Sequence, residues 1–433
     1  MQAIRDATTA QCTFENQHTV VKDLTLMDVW NVSYLSWESV GGELKPILIR
    51  GYAARPSGAG VLPGVVLAHG LGGYAEESGA VGLAKLLHVF VIAYSGPGSG
   101  NAPENTSEGL PPMHNDGYRL WDTLKDPRGS WFWGHSVALM RALTCLQVRA
   151  DVDPARLGVT GFSAGAIASL IVAGADDRVR AAVPVSGTGA FDVATQAPAA
   201  WQHALLAKAG LTTDSPEWKT FLETLDPAKV VSGAKGAVLM VNGSVDEFFP
   251  LTAHVATYDA VPGADKRTSL VANFDHGCYA MVPWVETKKT IEDRVAVHAS
   301  GGQMMWFSHH FATDPDLAYV PLPPEGQVTG AGAAMVVTAT VDRSSQTLDV
   351  EEVTFWASND DAYTFWPFKL SFYSDTGVYG AIVPAPLQPN TVWFLDAQYK
   401  TKDLLWPKRF TISSRPSLPP GFMPHIRAID SCL

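Results

Sequence analysis

The sequence predicts an α/β fold: a mostly parallel sheet with helices on both faces, followed by a C-terminal antiparallel β-sandwich. Three observations carry this. Short runs that are apolar on both faces, such as "GVVLAHG" (64–70), "VFVIAY" (89–94) and "GAVLMVNG" (236–243), alternate with segments of helical period, the pattern of strands covered on two sides. The helical period then stops after a Pro/Gly-rich linker, "AYVPLPPEG" (Ala318–Gly326), and short β-type runs bounded by turn residues fill the rest of the chain. Finally, a serine flanked by small residues, "GFSAG" (161–165), stands where one apolar strand gives way to a helix.

Taken in order, "WNVSYLSWES" and "LKPILIRGYAARP" read as an N-terminal hairpin around "VGGE", since paired glycines supply the positive φ of a tight turn. "GVVLAHG" is a buried strand, "SGAVGLAKLLHVF" a helix and "VFVIAY" a second buried strand. "WFWGHSVALMRALTCLQV" is a long helix. "RLGVTG", "AGAIASLIVAGA" and "VRAAVPVSG" read as strand, helix, strand, and a polar, mostly helical insertion follows at about 191–229. "GAVLMVNG", "LTAHVATYDAV" and "RTSLVANF" repeat strand, helix, strand, and a helix over "ETKKTIEDRVAVHASGGQMMWFSHHF" closes this part. Beyond the linker, "AAMVVTATVD", "EEVTFWAS", "FKLSFYS", "GVYGAIVPA", "NTVWFLDAQY" and "KRFTISS" are the sandwich strands. The expected units are therefore 1–320 and 321–433.

Composition narrows the classes. With 433 residues, 46% apolar and 17% charged, the chain can bury a large core and is long for one structural unit. A net charge of −12 without basic runs argues against nucleic acid and anionic membrane surfaces as partners. No apolar run approaches the roughly 18–20 residues that cross a bilayer. The start lacks the apolar stretch of a signal peptide, which a mature N-terminus would equally lack. The four cysteines form no CxxC pair. Cys12 and Cys432 lie near the two ends, which raises the expectation that they pair; free thiols are the alternative. A bond there implies an oxidising compartment. The 13 tryptophans and low lysine content fit an exported protein. The expected location is extracellular or periplasmic, with the cytoplasm as the alternative.

Chemistry centres on Ser163. Small neighbours allow a strained strand-to-helix bend that lifts the hydroxyl clear of the sheet, and the N–H of Ala164 then points into the site at a helix N-terminus. A plain connecting turn is the competing reading. A serine hydroxyl needs a base, and the base an orienting acid. Asp246 follows the strand "GAVLMVNG" and His276 follows "RTSLVANF", so both sit at carboxyl ends of strands, as Ser163 does. Glu247 is expected to point elsewhere, and Asp275 to be too local to orient His276. His135, His254, His309 and His310 fall in helices and read as structural. "AHGLGG" (Ala68–Gly73) suits a loop that turns the N–H of Leu71 towards an acyl oxygen, pairing it with that of Ala164. The spacing does not fit a phosphate-binding glycine loop. His69 reads as structural. No residue cluster has zinc-like spacing, so neither metal nor cofactor is expected.

"HGLGG", "GFSAGA", "GSVDEFFP" and "DHGCY" together resemble the α/β-hydrolase superfamily over residues 28–312. "VDPARLGVTGFSAGA" with "NGSVDEFFP" is similar to the branch with acetylxylan esterases, dienelactone hydrolases and prolyl oligopeptidase-like catalytic domains. The resemblance implies a serine hydrolase in which Ser163 attacks a carboxylic ester, His276 is the base, Asp246 orients it, and the Leu71 and Ala164 amides form the oxyanion hole. A serine at 163 departs from the cysteine of true dienelactone hydrolases, and Ala164 is smaller than the Gln, Tyr or Met often found there. The expected substrate is an acetylated sugar or another small-acyl ester, on a small molecule or a polymer. A peptidase of the prolyl oligopeptidase type and an inactive scaffold that binds carbohydrate are the alternatives. The Gly/Pro-rich crossing from Tyr94 to Gly134 and the helical insertion are expected to shape the pocket. Trp356, Phe365, Trp366 and Trp393 could stack on sugar rings, although alternation along strands favours packing for such residues.

Overall fold

The computed structural model describes residues 2–112, 119–121, 125–279, 282–283, 286–403 and 405–426. Among them, nine strands precede the linker region: β1 (Thr13–Lys22), β2 (Thr25–Val40), β3 (Glu43–Pro56), β4 (Leu62–Ala68), β5 (Phe90–Tyr94), β6 (Val152–Phe162), β7 (Val179–Val185), β8 (Ala237–Gly243) and β9 (Lys266–Val271). Eight follow it: β10 (Glu325–Ala331), β11 (Ala334–Thr340), β12 (Leu348–Ser358), β13 (Trp366–Lys369), β14 (Ser371–Tyr373), β15 (Val378–Val383), β16 (Val392–Thr401) and β17 (Arg409–Ser413). The central sheet runs β1-β2-β3-β5-β4-β6-β7-β8-β9-β17-β16-β12-β13. Strands β5, β4, β6, β7, β8 and β9 are mutually parallel. The β1-β2-β3 meander and β17 flank them antiparallel.

The apolar runs become strands because both of their faces are covered. All residues of β5 and β8 are buried. Helices Glu77–Leu87 and Gly301–Phe311 pack one face through Ala84, Leu87, Trp306 and Phe307. Helices Trp131–Gln147 and Ala164–Ala175 pack the other through Leu139, Leu143, Leu170 and Val172. The insertion folds as short helices, Phe191–Ala194, Trp201–Lys208, Pro216–Thr224 and Pro227–Val231. Their aromatics pack with Trp121 and Phe132 in a separate cluster above the carboxyl edge of the sheet.

The C-terminal strands form two antiparallel layers, one of which continues the central sheet. β17 takes the open edge of β9 at Ser413↔Thr268. Ser413 Oγ accepts the Leu270 N–H at 2.8 Å, and Ser269 Oγ donates to the Thr411 carbonyl at 2.8 Å. An unpaired strand edge is a liability, and here it is closed. The second layer, β10-β11-β15-β14, lies across it. Met335, Val337 and Ala339 of β11 alternate inwards onto the core shared with Phe355, Leu395 and Ala397. β1 and β10 lie outside the strands expected from the sequence. Most of β1 is exposed, so its residues lack the apolar alternation that marks a half-buried strand.

The expected pairing of Cys12 with Cys432 is not what the structure holds: Cys12 is bonded to Cys145, 133 residues away, and Cys432 lies outside the described residues. The cause is the path of the N-terminal segment across the helix Trp131–Gln147. Arg141 Nη1 donates to the carbonyls of Ile4 and Asp6, both at 2.9 Å, and Thr144 Oγ1 donates to that of Ile4 at 3.1 Å. Those contacts set Cys12 over the last turn of the helix. The bond closes a long loop and so restricts the unfolded chain. We expect Cys12→Ser to lower the free energy of unfolding by about 2–5 kcal/mol, measured by urea titration of the oxidised protein against the variant.

Candidate functional site

Strand β6 ends at Phe162 and the helix begins at Ala164, leaving Ser163 alone at the bend with φ 58° and ψ −119°. A β-carbon disfavours this region, and such strain collects at functional sites. The flanking glycines are required sterically. A Cβ on Gly165 would come within 2.2 Å of the Ala68 carbonyl oxygen, and one on Gly161 within 2.6 Å of the Gly165 backbone. Bare backbone at both positions lets the helix start directly against β4. The bend is held by the Ser163 N–H donating to the Val185 carbonyl at 3.0 Å.

The structure brings the three sequence-predicted side chains together. His276 Nε2 lies 2.9 Å from Ser163 Oγ, and His276 Nδ1 lies 3.0 Å from Asp246 Oδ2. Asp246 is buried, and its other oxygen accepts the N–H groups of Phe248 and Phe249 at 3.0 and 2.9 Å. With both oxygens occupied, the carboxylate holds a hydrogen on Nδ1 and leaves Nε2 as the acceptor facing the serine. Leu71, after β4, and Ala164 line the same cavity as Ser163 and His276. Such a chain can pass a proton from hydroxyl to imidazole, beside amides suited to an oxyanion.

Charge favours this arrangement. Burial opposes protonation of His276, but Asp246, with Glu247 and Asp275 behind it, outweighs burial and holds the imidazole pKa above its ordinary value. His69 behaves oppositely: burial lowers its pKa to about 4. Its Nδ1 donates to the Gly70 carbonyl at 2.6 Å and its Nε2 accepts the Gly96 N–H at 2.8 Å. His69 thus fastens the loop that carries Leu71.

Glu247 does not point away from the site as expected. Its Oε2 accepts the His276 backbone N–H at 3.0 Å, so adjacent acids grip the same histidine, one at the ring and one at the main chain. Burial, and after it the charge of Asp246, raises the Glu247 pKa to about 7. Asp275 turns the loop onward, accepting the N–H groups of Gly277 and Tyr279 at 2.9 and 3.0 Å. Ligand atoms of Glu247, Asp275 and Cys278 lie within 4.8 Å of one another, but Cys278 is disulfide-bonded and offers no thiolate to a metal.

The cavity over Ser163 measures about 30 Å³, well below the roughly 300 Å³ or more of an ordinary ligand pocket. Phe132, Ile167, Trp201, Phe248 and Phe249 wall it. Trp201 comes from the insertion and Phe132 from the end of the Gly/Pro-rich crossing, so both regions expected to shape the pocket contribute to it. Trp201 packs edge-on to Phe248, ring centres 5.5 Å apart, and Gln202 Nε2 donates to the Phe248 carbonyl. A larger cavity of about 590 Å³ over β1 and β2 contains none of these groups. Sequence pattern could not single out Ile167, Trp201 or Phe248, because each reads as an ordinary core residue of a helix or turn.

The sheet order, the serine on a strained strand-to-helix bend and the acid and histidine after later strands define the α/β-hydrolase fold. No family model matches the sequence, and no curated protein matches it. Solved structures do. An acetyl xylan esterase from Paenibacillus sp. R4 is similar with a TM-score of 0.53 at 21% identity, over 67% of this chain and 91% of that one. Acetyl xylan esterase 1 from Thermoanaerobacterium sp. JW/SL YS485 is similar with a TM-score of 0.52 at 17% identity, over 70% of this chain and 88% of that one.

The Glu247 contact yields a pH prediction. Neutralising it in Glu247→Gln keeps an acceptor for the His276 N–H but removes a charge that favours imidazolium. The pKa of His276 then falls, measured by NMR titration of its imidazole in the variant against wild type. Stability carries the opposite sign to a salt-bridged acid: a carboxyl with a raised folded pKa costs stability as pH rises from 4.5 towards about 7. The variant is therefore expected to gain stability over wild type above that window, measured by urea titration at two pH values.

Proposed function

We propose that the protein is a serine hydrolase of short-chain carboxylic esters, acting through an acyl-enzyme. The observation that carries this is the continuous hydrogen-bonded chain Ser163–His276–Asp246, opening on an apolar cavity of about 30 Å³. Ser163 Oγ attacks the acyl carbon while His276 Nε2 takes its proton. The Leu71 and Ala164 amides receive the oxyanion, and the leaving alcohol takes the proton from His276. Water, deprotonated by His276, then attacks the acyl-serine and releases the acid. Asp246 keeps the hydrogen on Nδ1 throughout.

The walls of Ile167, Trp201 and Phe248 leave room for a methyl group beside Ser163 rather than for a longer chain. An acetyl ester is the best fit, and both similar structures are named acetyl xylan esterases. The Cys12–Cys145 bond favours an oxidising location, outside the cytoplasm.

We expect Ser163→Ala to lower kcat on p-nitrophenyl acetate by about 10⁴-fold or more; retention of full activity refutes the reading. A chain-length series checks the pocket. Wild type is expected to prefer acetate to hexanoate. Trp201→Ala, by opening the wall, is expected to raise the hexanoate-to-acetate ratio of kcat/KM by roughly tenfold or more, since each methylene accommodated is worth about 1–3 kcal/mol.

A further inference from the structure

We propose that Asn273 is a positioning residue for His276, and that the C-terminal layers take part in the site by holding Asn273 through the main chain of Phe365. Asn273 stands three residues before His276, on the turn that leaves β9. It acts through the backbone of that turn, not on a substrate.

Asn273 is 2% exposed, and its side chain is fully occupied. Its Oδ1 accepts the Phe365 N–H and its Nδ2 donates to the Phe365 carbonyl, both at 2.7 Å. Nδ2 also donates to Glu286 Oε2 at 2.7 Å. A side-chain amide carries one acceptor oxygen and two donor hydrogens, so it can give to and take from the main chain of one residue and still reach a carboxylate. A carboxylate in its place has no hydrogen to give, and an aliphatic side chain has neither.

The backbone at Asn273 is left-handed, with φ 58°, where asparagine is several-fold enriched among residues other than glycine. This turns the chain back over the loop that follows β8. The Asn273 N–H donates to Ser244 Oγ at 2.9 Å. Ser244 donates its own N–H to the Val271 carbonyl at 2.9 Å, and Val245 donates to the Phe274 carbonyl at 3.3 Å. These bonds zip the turn that carries His276 to the loop that carries Asp246, two residues beyond Ser244. The 3.0 Å approach of His276 Nδ1 to Asp246 Oδ2 lies at the end of that zipper.

The C-terminal layers fix the other side of Asn273. Phe365 and Trp356 are 0% and 4% exposed and belong to one buried cluster, so both pack in the core rather than offer a ring face to a sugar. Arg294 extends the clamp. Its Nη1 donates to the Ala272 carbonyl at 2.6 Å, its Nη2 pairs with Glu286, and its guanidinium lies 4.5 Å from the centre of the Trp356 ring. Residues 272 and 273 are thus gripped from β12 and from the segment before β13. A misplacement of about 1 Å in a reacting group costs on the order of 10²-fold in rate, so a clamp of this kind bears on turnover without touching substrate. That consequence rests on the ester-hydrolase reading; the placement of the imidazole does not.

The test uses the full-length protein. Asn273→Gly keeps the left-handed backbone and removes all three side-chain bonds. Asn273→Asp keeps an acceptor for the Phe365 N–H but has no donor for the Phe365 carbonyl or for Glu286. Val337→Ala removes core packing between the C-terminal layers and serves as the control for general destabilisation. With all proteins folded by far-UV circular dichroism, both Asn273 variants are expected to lose about 10²-fold in kcat on p-nitrophenyl acetate with KM nearly unchanged. The His276 imidazole, followed by NMR, is expected to titrate at lower pH in both, because Asp246 no longer supports its charged form. Val337→Ala is expected to keep the wild-type kcat and titration. Wild-type kcat and titration in either folded Asn273 variant overturn the proposal, and so does an equal loss of kcat in Val337→Ala. If wild type hydrolyses no ester, the ester-hydrolase reading falls, and the imidazole titration and the rate of fluorophosphonate labelling of Ser163 decide the positioning role: a lower titration and slower labelling in Asn273→Gly support it, and unchanged values overturn it.

Discussion

Ser163 occupies a backbone conformation that costs an L-residue about 1–3 kcal/mol, and the surrounding chain is arranged so that it has no alternative. Its N–H is held by the Val185 carbonyl on β7, while its own carbonyl accepts from Ala166 and Ile167 in the helix that follows. Relaxing φ would break the link to β7 or unwind the first helical turn. Three glycines make the crowding possible. Besides Gly161 and Gly165, a Cβ on Gly187 would lie 2.8 Å from the Ser163 carbonyl oxygen and 2.5 Å from the Ala166 Cβ. The strain is thus offset by the close approach of β4, β6, β7 and one helix, and it sets where everything else at the carboxyl edge has to stand.

Around that fixed serine, burial and charge give two histidines opposite characters. His276 sees Asp246, Glu247 and Asp275, and its charged form is favoured despite burial. His69 is buried and tied at both ring nitrogens to backbone groups of its own loop and the next, so it stays neutral. Only His276 combines a free acceptor facing Ser163 with a carboxylate behind it. Concentrating three acids near one imidazole has an electrostatic cost. The acids divide it: Asp246 takes the ring, Glu247 takes the main chain and is pushed towards neutrality, and Asp275 turns towards the amides of the following turn.

Much of this was legible because parallel strands write plainly. Ser163, Asp246 and His276 each end an apolar run, and a sheet with one chain direction puts all such ends on one edge. The small residues at 161 and 165 carried the bend. What was not legible depends on approach between distant segments. Glu247 beside Asp246 looks like one more acid until the turn after β8 folds both towards His276. Cys145 reads as a helix-core residue, and nothing local to it says that residues 4–12 cross that helix. β1 lacks alternation because most of it faces solvent. The union of the C-terminal strands with the central sheet rests on side-chain hydrogen bonds of Ser269 and Ser413, two residues with no pattern around them to mark an edge.

That union bears on the site. β9 carries the turn that ends in His276, and β17 is its neighbour on the outer side. The turn itself is held from two directions. Glu247 grips the His276 N–H from the β8 side, and Asn273 is clamped by Phe365 from the C-terminal side. Behind the strand, a Cβ on Gly301 would come within 2.2 Å of the Arg409 carbonyl oxygen, so the helix that covers β8 is in backbone contact with β17 as well. The C-terminal layers brace one end of the proposed catalytic edge through hydrogen bonds of Ser413 to β9 and of Phe365 to Asn273.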